Sequence, residues 1–448
     1  MMDYAKRIVR AAVDSGFEEA VAKVFSYRNS YLKIANSAVD SIVTKVEESA
    51  VLFVSSKKRV FFTNIDRLSE ANIANAIKHA KNGISKLKPK GDYYGIAEGP
   101  FKYTCSHACD KAIATYDNGT LTDTAYAAIN SALRVGSDNV AGTLVMTEGN
   151  VCIATSKSVY EGERFAHARL SLRTFRKDFS AQKIRVAKRL NDLRPEHLGK
   201  STAELAGMVN THGKIKHGSY DIVYMQQPAG VLLSSVNEMA CIGDVETGSF
   251  LTGKLGKEIA SSNVRIYDDG KTSGLVGTGR FDDEGHPTQK TLLVSKGKLL
   301  TYLHNFSTAT KYKVKSTGNA GLVLPDPNVF VMEHERKAKS LDKLISGIER
   351  GILITNTWYT RFSNYLTGDF STVPRDIAIY IERGEPRFAI KQIDVSSATG
   401  IRISDNMIRM LKNIECTAND TIQTASWDAE GYFLTPSVLV KDVKVTTA

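Results

Sequence analysis

The sequence predicts an α+β protein of two domains, and three observations carry that prediction. Helical and extended patterns alternate through roughly the first 190 residues; the rest is mostly strand with few helices; and Pro195 opens a helical stretch between the two regimes. At roughly 150 residues per domain, 448 residues suffice for two cores. The boundaries expected are 1–190 for an N-terminal mixed domain built on an antiparallel sheet and 191–448 for a β-rich C-terminal domain.

The opening segment places Tyr4, Ile8, Val9, Ala12 and Val13 on one helical face. Apolar-rich extended segments follow at 19–25, 31–35, 41–45, 50–54 and 59–62, with turns expected at Asn29-Ser30 and Lys57-Lys58. Helical spacing returns over 68–87, where Ser69 or Asp66 can cap. Pro89, Pro100 and four glycines mark an irregular connection over 88–119, and a helix is expected at 122–133. Strands are expected at 142–147, 150–155 and 164–173, and 173–189 reads as basic with sparse apolar residues. Beyond the boundary, Lys296-Gly297 reads as a hairpin turn and Leu341, Leu344, Ile345 and Ile348 as an amphipathic helix ending at Gly351. Extended segments at 377–382, 388–393 and 433–445 enclose a short helix near 405–411. No tandem repeat of fixed period shows in the sequence.

Composition narrows the function classes. With 42% hydrophobic and 24% charged residues the chain reads as globular, no apolar run reaches the ~20 residues of a membrane span, and the N-terminus lacks a signal-peptide core, so a cytoplasmic protein is expected. The net charge of +11 invites nucleic acid, but the basic residues are dispersed and interleaved with acidic ones. Five cysteines do not suggest a disulfide framework. Cys105-Ser106-His107-Ala108-Cys109 is the one tight cluster of metal-ligand type, and a zinc site needs about four ligands.

Most familiar catalytic signatures are missing. Gly270-Lys271-Thr272 lacks the upstream glycine of a phosphate loop and follows Asp268-Asp269, which would repel phosphate, so it reads as a turn. There is no nucleophile elbow, dinucleotide fingerprint or H-E-x-x-H helix. Of nine scattered histidines, His286 and His304 are the two candidates for acid–base work, and His286 sits beside the carboxylates Asp282, Asp283 and Glu284 in the stretch 280–291. Gly285 and Pro287 fix a bend there, so these carboxylates sit at a strand end or loop tip.

Four motifs occur in order: FDDEGHPTQKT, Ser316-Thr317-Gly318-Asn319-Ala320, Thr367-Gly368-Asp369-Phe370-Ser371, and Ile403-Ser404-Asp405-Asn406. This series resembles the TldD/PmbA family, whose PmbA branch is also called TldE and was once described as a modulator of DNA gyrase. The resemblance covers the second half well and the first by length and pattern. It implies a two-domain α+β fold and a TldD/TldE heterodimer acting as a zinc peptidase on unfolded or extended peptides. In the catalytic TldD-type chain, a helix with H-E-x-x-x-H and a C-terminal cysteine hold the zinc.

This chain departs from that pattern. Aligning Val231-Leu232-Leu233 with the apolar run before the motif puts Ser234 and Met239 at the histidine positions and Ser235 at the glutamate. Neither serine nor methionine is an ordinary zinc ligand, and Thr424 to Gly431 contains no cysteine. The resemblance therefore implies a non-catalytic TldE-like subunit, inactive alone, with no metal or cofactor of its own and zinc on a TldD-like partner. That partner, or a second copy in isolation, and an extended peptide are the expected partners, with no membrane and no nucleic acid. Asp282, Asp283, Glu284, Gly285, Pro287, Thr288, Gly318, Asn319, Gly368, Asp369, Phe370 and Ser371 are expected to shape a scaffold or peptide groove. A non-proteolytic modulator of nucleic acid or gyrase is the alternative, and a hydrolase using His286 a third reading.

Overall fold

The computed structural model describes residues 1–104, 109–391, 400–427 and 431–447. It has the α+β class expected, with an antiparallel N-terminal sheet and a strand-rich C-terminal region.

The N-terminal sheet has six strands: β1 (Glu19–Ala35), β2 (Ala38–Ser56), β3 (Arg59–Asp66), β4 (Asn139–Thr155), β5 (Tyr160–Arg176) and β6 (Phe179–Ala187), in the spatial order β3-β2-β1-β4-β5-β6. Segments that the sequence divides are continuous here. Asn29-Ser30 is no turn; Ser30 is buried mid-strand, its hydroxyl 2.7 Å from that of Thr44 and 2.9 Å from that of Tyr116. The β1–β2 turn falls instead at Asn36-Ser37, with φ of 50° and 61°, while Lys57-Lys58 turns β2 into β3 as expected, with 50° and 59°. Strand β6, in the stretch read as basic, is made by cross-strand pairing with β5 rather than by its own composition.

The sheet is an internal duplication. Helix Met2–Asp14 leads into β1–β3 and helix Glu70–Ser85; helix Asn118–Arg134 leads into β4–β6 and helix Pro195–Ala206. The register recurs 120 residues on: Glu19 opposite Ser55 becomes Asn139 opposite Phe175, and Ser49 opposite Asp66 becomes Arg169 opposite Val186. Local bonds recur with it. The Lys57 amide donates to Glu18 (2.9 Å) and the Lys177 amide to Asp138 (2.6 Å), and Gly16 and Gly136 share φ near +100° (96° and 100°). The repeat unseen in the sequence is thus present in the backbone, because paired register constrains burial and turns more than residue identity.

The C-terminal region stacks two sheets around one core. One runs in the order Lys298–Leu299, Lys290–Ser295, Val264–Asp269, Val329–His334, Tyr432–Thr435, Ile422–Ala425. The other has eleven strands, with Val438–Thr447, Gly218–Tyr224 and Arg350–Ile354 near its centre. Tyr224, Phe250, Phe330 and Phe370 are among the large side chains fully enclosed between the elements. Lys296-Gly297 forms the expected hairpin turn, with φ of 48° and 74°. The helix expected from Ser340 to Gly351 is only Leu341–Ile345, since Gly351 already pairs with Asp221 and Ile381 in the centre of the sheet. Apolar Gly230–Leu233 belongs to the helix Gln226–Leu233, and a Cβ at Gly230 would stand 2.6 Å from that of Phe433. That close approach presses the helix onto the Tyr432–Thr435 strand.

Candidate functional site

The structure gathers the motif residues into three places. The first is the acidic turn and the 316–320 loop, which interlock. Asp282 is buried and accepts backbone N–H bonds from Glu284 (3.0 Å), His286 (2.9 Å) and Ala320 (3.0 Å). The Asp283 amide returns a bond to Ala320 O (3.0 Å), and the Thr288 hydroxyl donates to Gly279 O. Gly285 (φ 77°) and Gly318 (φ 68°) supply the left-handed turns, and Pro287 packs its carbonyl against Gly318.

This turn also joins the two halves of the molecule. Asp283 takes an ion pair from Lys23 on β1 at 2.5 Å, Tyr103 donates to Gly285 O at 2.7 Å, and the His286 ring meets Phe101 edge-on, centroids 5.1 Å apart. Glu284 accepts from the Phe306 amide at 3.2 Å. Burial raises the carboxyl pKa of Asp282 to about 7, and burial together with the Asp282 charge raises that of Glu284 well above the usual carboxylate range. Asp282 has three amides facing it and holds its charge better, so Glu284 keeps the proton.

That assignment fixes a pH dependence. Folded pKa values above the unfolded ones, near 4, mean that the native state binds more protons between pH 4 and the folded pKa. The stability contribution is complete below pH 4 and is lost as pH rises through 7. Glu284→Gln, which cannot ionise, is expected to flatten the fall in Tm between about pH 5 and pH 8; unchanged slopes would refute the assignment of the proton to Glu284.

The second place holds the TGDFS residues, well apart from the first. Gly368 (φ 82°) lets the chain pass Phe250, and Asp369 accepts from Asn406 Nδ2 (2.9 Å) and the Thr367 hydroxyl (2.6 Å), bonds that hold its carboxyl below the usual range. Phe370 is enclosed and meets Phe362, and Ser371 accepts from Arg402 at 3.3 Å.

The third place is where a metal-binding helix would lie. Ser234 breaks the helix between Gln226–Leu233 and Ser235–Met239; its hydroxyl donates to Val231 O (3.3 Å) and that of Ser235 to Leu232 O (2.8 Å). Met239 packs on the core. Beside them opens a pocket of about 450 Å³, lined by Ser234, Asn237, Glu238, Asn328, Tyr432 and Phe433 among others. Glu238 is exposed, with the carboxylates of Asp244 and Asp326 nearby. Two hydroxyls bonded to their own helix, a thioether packed against the core and a single exposed carboxylate do not fit zinc, which needs about four ligands drawn from thiolate, imidazole and ionised carboxylate. Among the described residues no group of three or more His, Cys, Asp or Glu could hold a metal ion. Of the Cys105–Cys109 cluster, residues 105–108 lie outside the described residues, as do 428–430 of the C-terminal stretch; Cys109 is half-buried, which raises its thiol pKa.

A residue that sequence reasoning passed over ties the third place to the first. Asp268, fully buried, accepts from Asn237 Nδ2 (3.1 Å), Asn319 Nδ2 (2.7 Å), Asn328 Nδ2 (2.9 Å) and the Asn328 amide (2.8 Å). Burial raises its pKa to about 6 against the pull of these donors. Asp269 next to it caps the turn read at Gly270-Lys271-Thr272, taking the Lys271 and Thr272 amides at 3.0 and 2.8 Å. The three asparagines lie 31 to 60 residues from Asp268, so no local spacing signals the cluster.

Of the two histidine candidates, His304 is buried and His286 half-buried. His286 Nδ1 lies 2.9 Å from Pro287 O, and burial lowers its pKa; burial lowers that of His304 to about 4. No described helix is long and apolar enough to cross a membrane.

Comparison with known proteins bears on this geometry. Residues 217–447 match the PmbA/TldA metallopeptidase C-terminal domain. A metalloprotease of Methanothermobacter thermautotrophicus is 28% identical over 231 residues, 50% of this chain and 48% of that protein; a PmbA homologue of Buchnera aphidicola is 24% identical over 264 residues, 58% and 54%. These matches span about half the length of each relative. The fold is that of TldE from Thermococcus kodakarensis, with a TM-score of 0.85 at 18% identity over 99% of this chain and 100% of that one. With more than half of its length in the family's C-terminal domain, the chain belongs to the TldD/PmbA metallopeptidase family.

Proposed function

We propose that this chain is the TldE-like, non-catalytic subunit of a TldD/TldE-type zinc peptidase, inactive alone and completing a chamber for an extended peptide on a TldD-like partner. The observation that supports it most is chemical: where the family's peptidase motif would place two imidazoles and a glutamate, Ser234 and Ser235 hydrogen-bond their own helix and Met239 packs half-buried against the core. The pocket beside them persists at about 450 Å³, lined by Tyr432 and Phe433 of the strand Tyr432–Thr435, and leaves room for side chains of an extended peptide.

Elemental analysis of the purified chain is expected to find less than stoichiometric zinc, with peptide cleavage appearing only after a TldD-like chain is added. Bound zinc at one per chain together with chelator-sensitive cleavage by this chain alone would overturn the reading.

A further inference from the structure

A second pocket, of about 600 Å³, lies between the edge strand β6 and the C-terminal region, away from the acidic turn and at the opposite end of the helix Gln226–Leu233 from Ser234. Its volume is in the range of small-molecule sites, about 300–1,000 Å³. β6 contributes Lys183 and Arg185; the start of helix Pro195–Ala206 contributes Arg194 and His197; the C-terminal region contributes Gln227 and Asp420.

The charges in this pocket are not balanced from within. Among the described residues, Lys183 and Arg194 have no side-chain hydrogen bond or ion pair, and Arg185 uses only its Nε, toward Asp192 O at 2.7 Å. Asp420 is already held by the Ser437 amide (2.8 Å), the Ser437 hydroxyl (2.7 Å) and Gln226 Nε2 (2.7 Å). Of the other nearby carboxylates, Glu204 pairs with Lys200 at 3.7 Å and Asp192 lies near Arg185. Crowding shows in the titration: burial lowers the Lys183 amine to about 8, and His197 is lowered by burial and then by Lys183, Arg185 and Arg194. Lys183 and Arg185 are half-buried in this pocket, and Arg194 and His197 are exposed beside them.

A second observation points to a ligand independently of charge. Gln227 is 6% exposed and lines the pocket, yet neither its Nε2 nor its Oε1 has a partner. Buried polar groups in folded proteins are nearly always satisfied, and a buried amide without partners is costly.

We propose that this interdomain pocket binds a small ligand through an oxyanion, a phosphate or a carboxylate, gripped by Lys183, Arg185 and Arg194 and oriented by the Gln227 amide. Arginine forks and a lysine point charge are the usual partners of such groups. The oxyanion fills only part of the volume, so the ligand carries a further body. Because the grip joins β6 to the C-terminal region, occupancy also raises Tm by mass action. The site is separate from the peptidase reading and stands whether or not that reading holds.

Calorimetric titration of the full chain with inorganic phosphate, with trialanine and with trialanine amide tests it. Saturable binding of phosphate or of trialanine, not of the amide, is expected, and identifies which oxyanion is read. Affinity for that probe should fall about tenfold or more in Lys183→Met and in Arg194→Gln, remain unchanged in Lys200→Gln on the same helix, and weaken with added salt. The proposal is overturned if neither anionic probe binds more tightly than about 10 mM, if the amide binds as well as the acid, or if both variants bind like the wild type.

Discussion

Asp268→Ala is expected to destabilise the protein by about 3–5 kcal/mol, the largest effect of any single substitution considered for this chain. The carboxylate receives four N–H donors, from Asn237, Asn319 and twice from Asn328; Asp268, Asn237 and Asn319 are buried and Asn328 half-buried. Removing it strands those donors and leaves a cavity, and two of the amides have little in reserve. The Oδ1 atoms of Asn237 and Asn319 already lack partners, so only the longer Asn237 bond to Tyr267 O (3.2 Å) and the Asn319 bond to Asp326 O (3.1 Å) remain. Asp268→Asn fits the space but turns an NH2 group toward two others, so it should recover only part of the loss. Denaturant unfolding monitored by fluorescence measures both; a loss below about 1 kcal/mol for the alanine variant would mean that the asparagines have other partners.

Gly318→Ala should cost about 3 kcal/mol. At φ 68° an L-residue loses roughly 1–2 kcal/mol, and the added Cβ would stand 2.5 Å from Pro287 O and 3.1 Å from Thr288 Cα, a clash worth about 1–3 kcal/mol more. Both neighbours are backbone, so relief requires moving the acidic turn and with it the Lys23–Asp283 contact. Gly253→Ala is the control: its φ is 67°, nearly the same, with nothing within 4 Å of the added atom. The difference between the two variants isolates the close approach from backbone strain, and equal costs would show that the loop relaxes freely.

Much of this architecture is legible in the residues, and the exceptions have physical reasons. Ser69 caps its helix, taking the Asn72 amide at 3.2 Å, and Lys57-Lys58 and Lys296-Gly297 turn where their neighbours' periodicity breaks. Signals of this kind are local. Asn29-Ser30 misleads because turn propensity is overridden when both flanking segments pair continuously with β2 and β4. The pattern from Leu341 to Ile348 satisfies a helix and a turn followed by a central strand equally well until Asp221 and Ile381 are brought alongside. The site divides in the same way. The ligand deficit at Ser234, Ser235 and Met239 is visible as residue types, whereas the Asp268 cluster, and the meeting of Lys183 and Arg194 with Gln227 and Asp420, join residues distant in sequence and leave no spacing to read.

The duplicated N-terminal sheet holds one more consequence. Its halves share a backbone, so comparing equivalent positions cancels what the fold demands and leaves what differs in their surroundings. Asn64 and Asp66 on β3 face solvent; their counterparts 120 residues on, Ile184 and Val186, are buried with Val276 and Ala425 of the C-terminal region. Phe62, 48% exposed, corresponds to Gln182, which lines the oxyanion pocket. One copy thus serves as the undocked reference for the other, and the substitutions between them spell out in sequence how a free sheet edge was converted into a joint between domains.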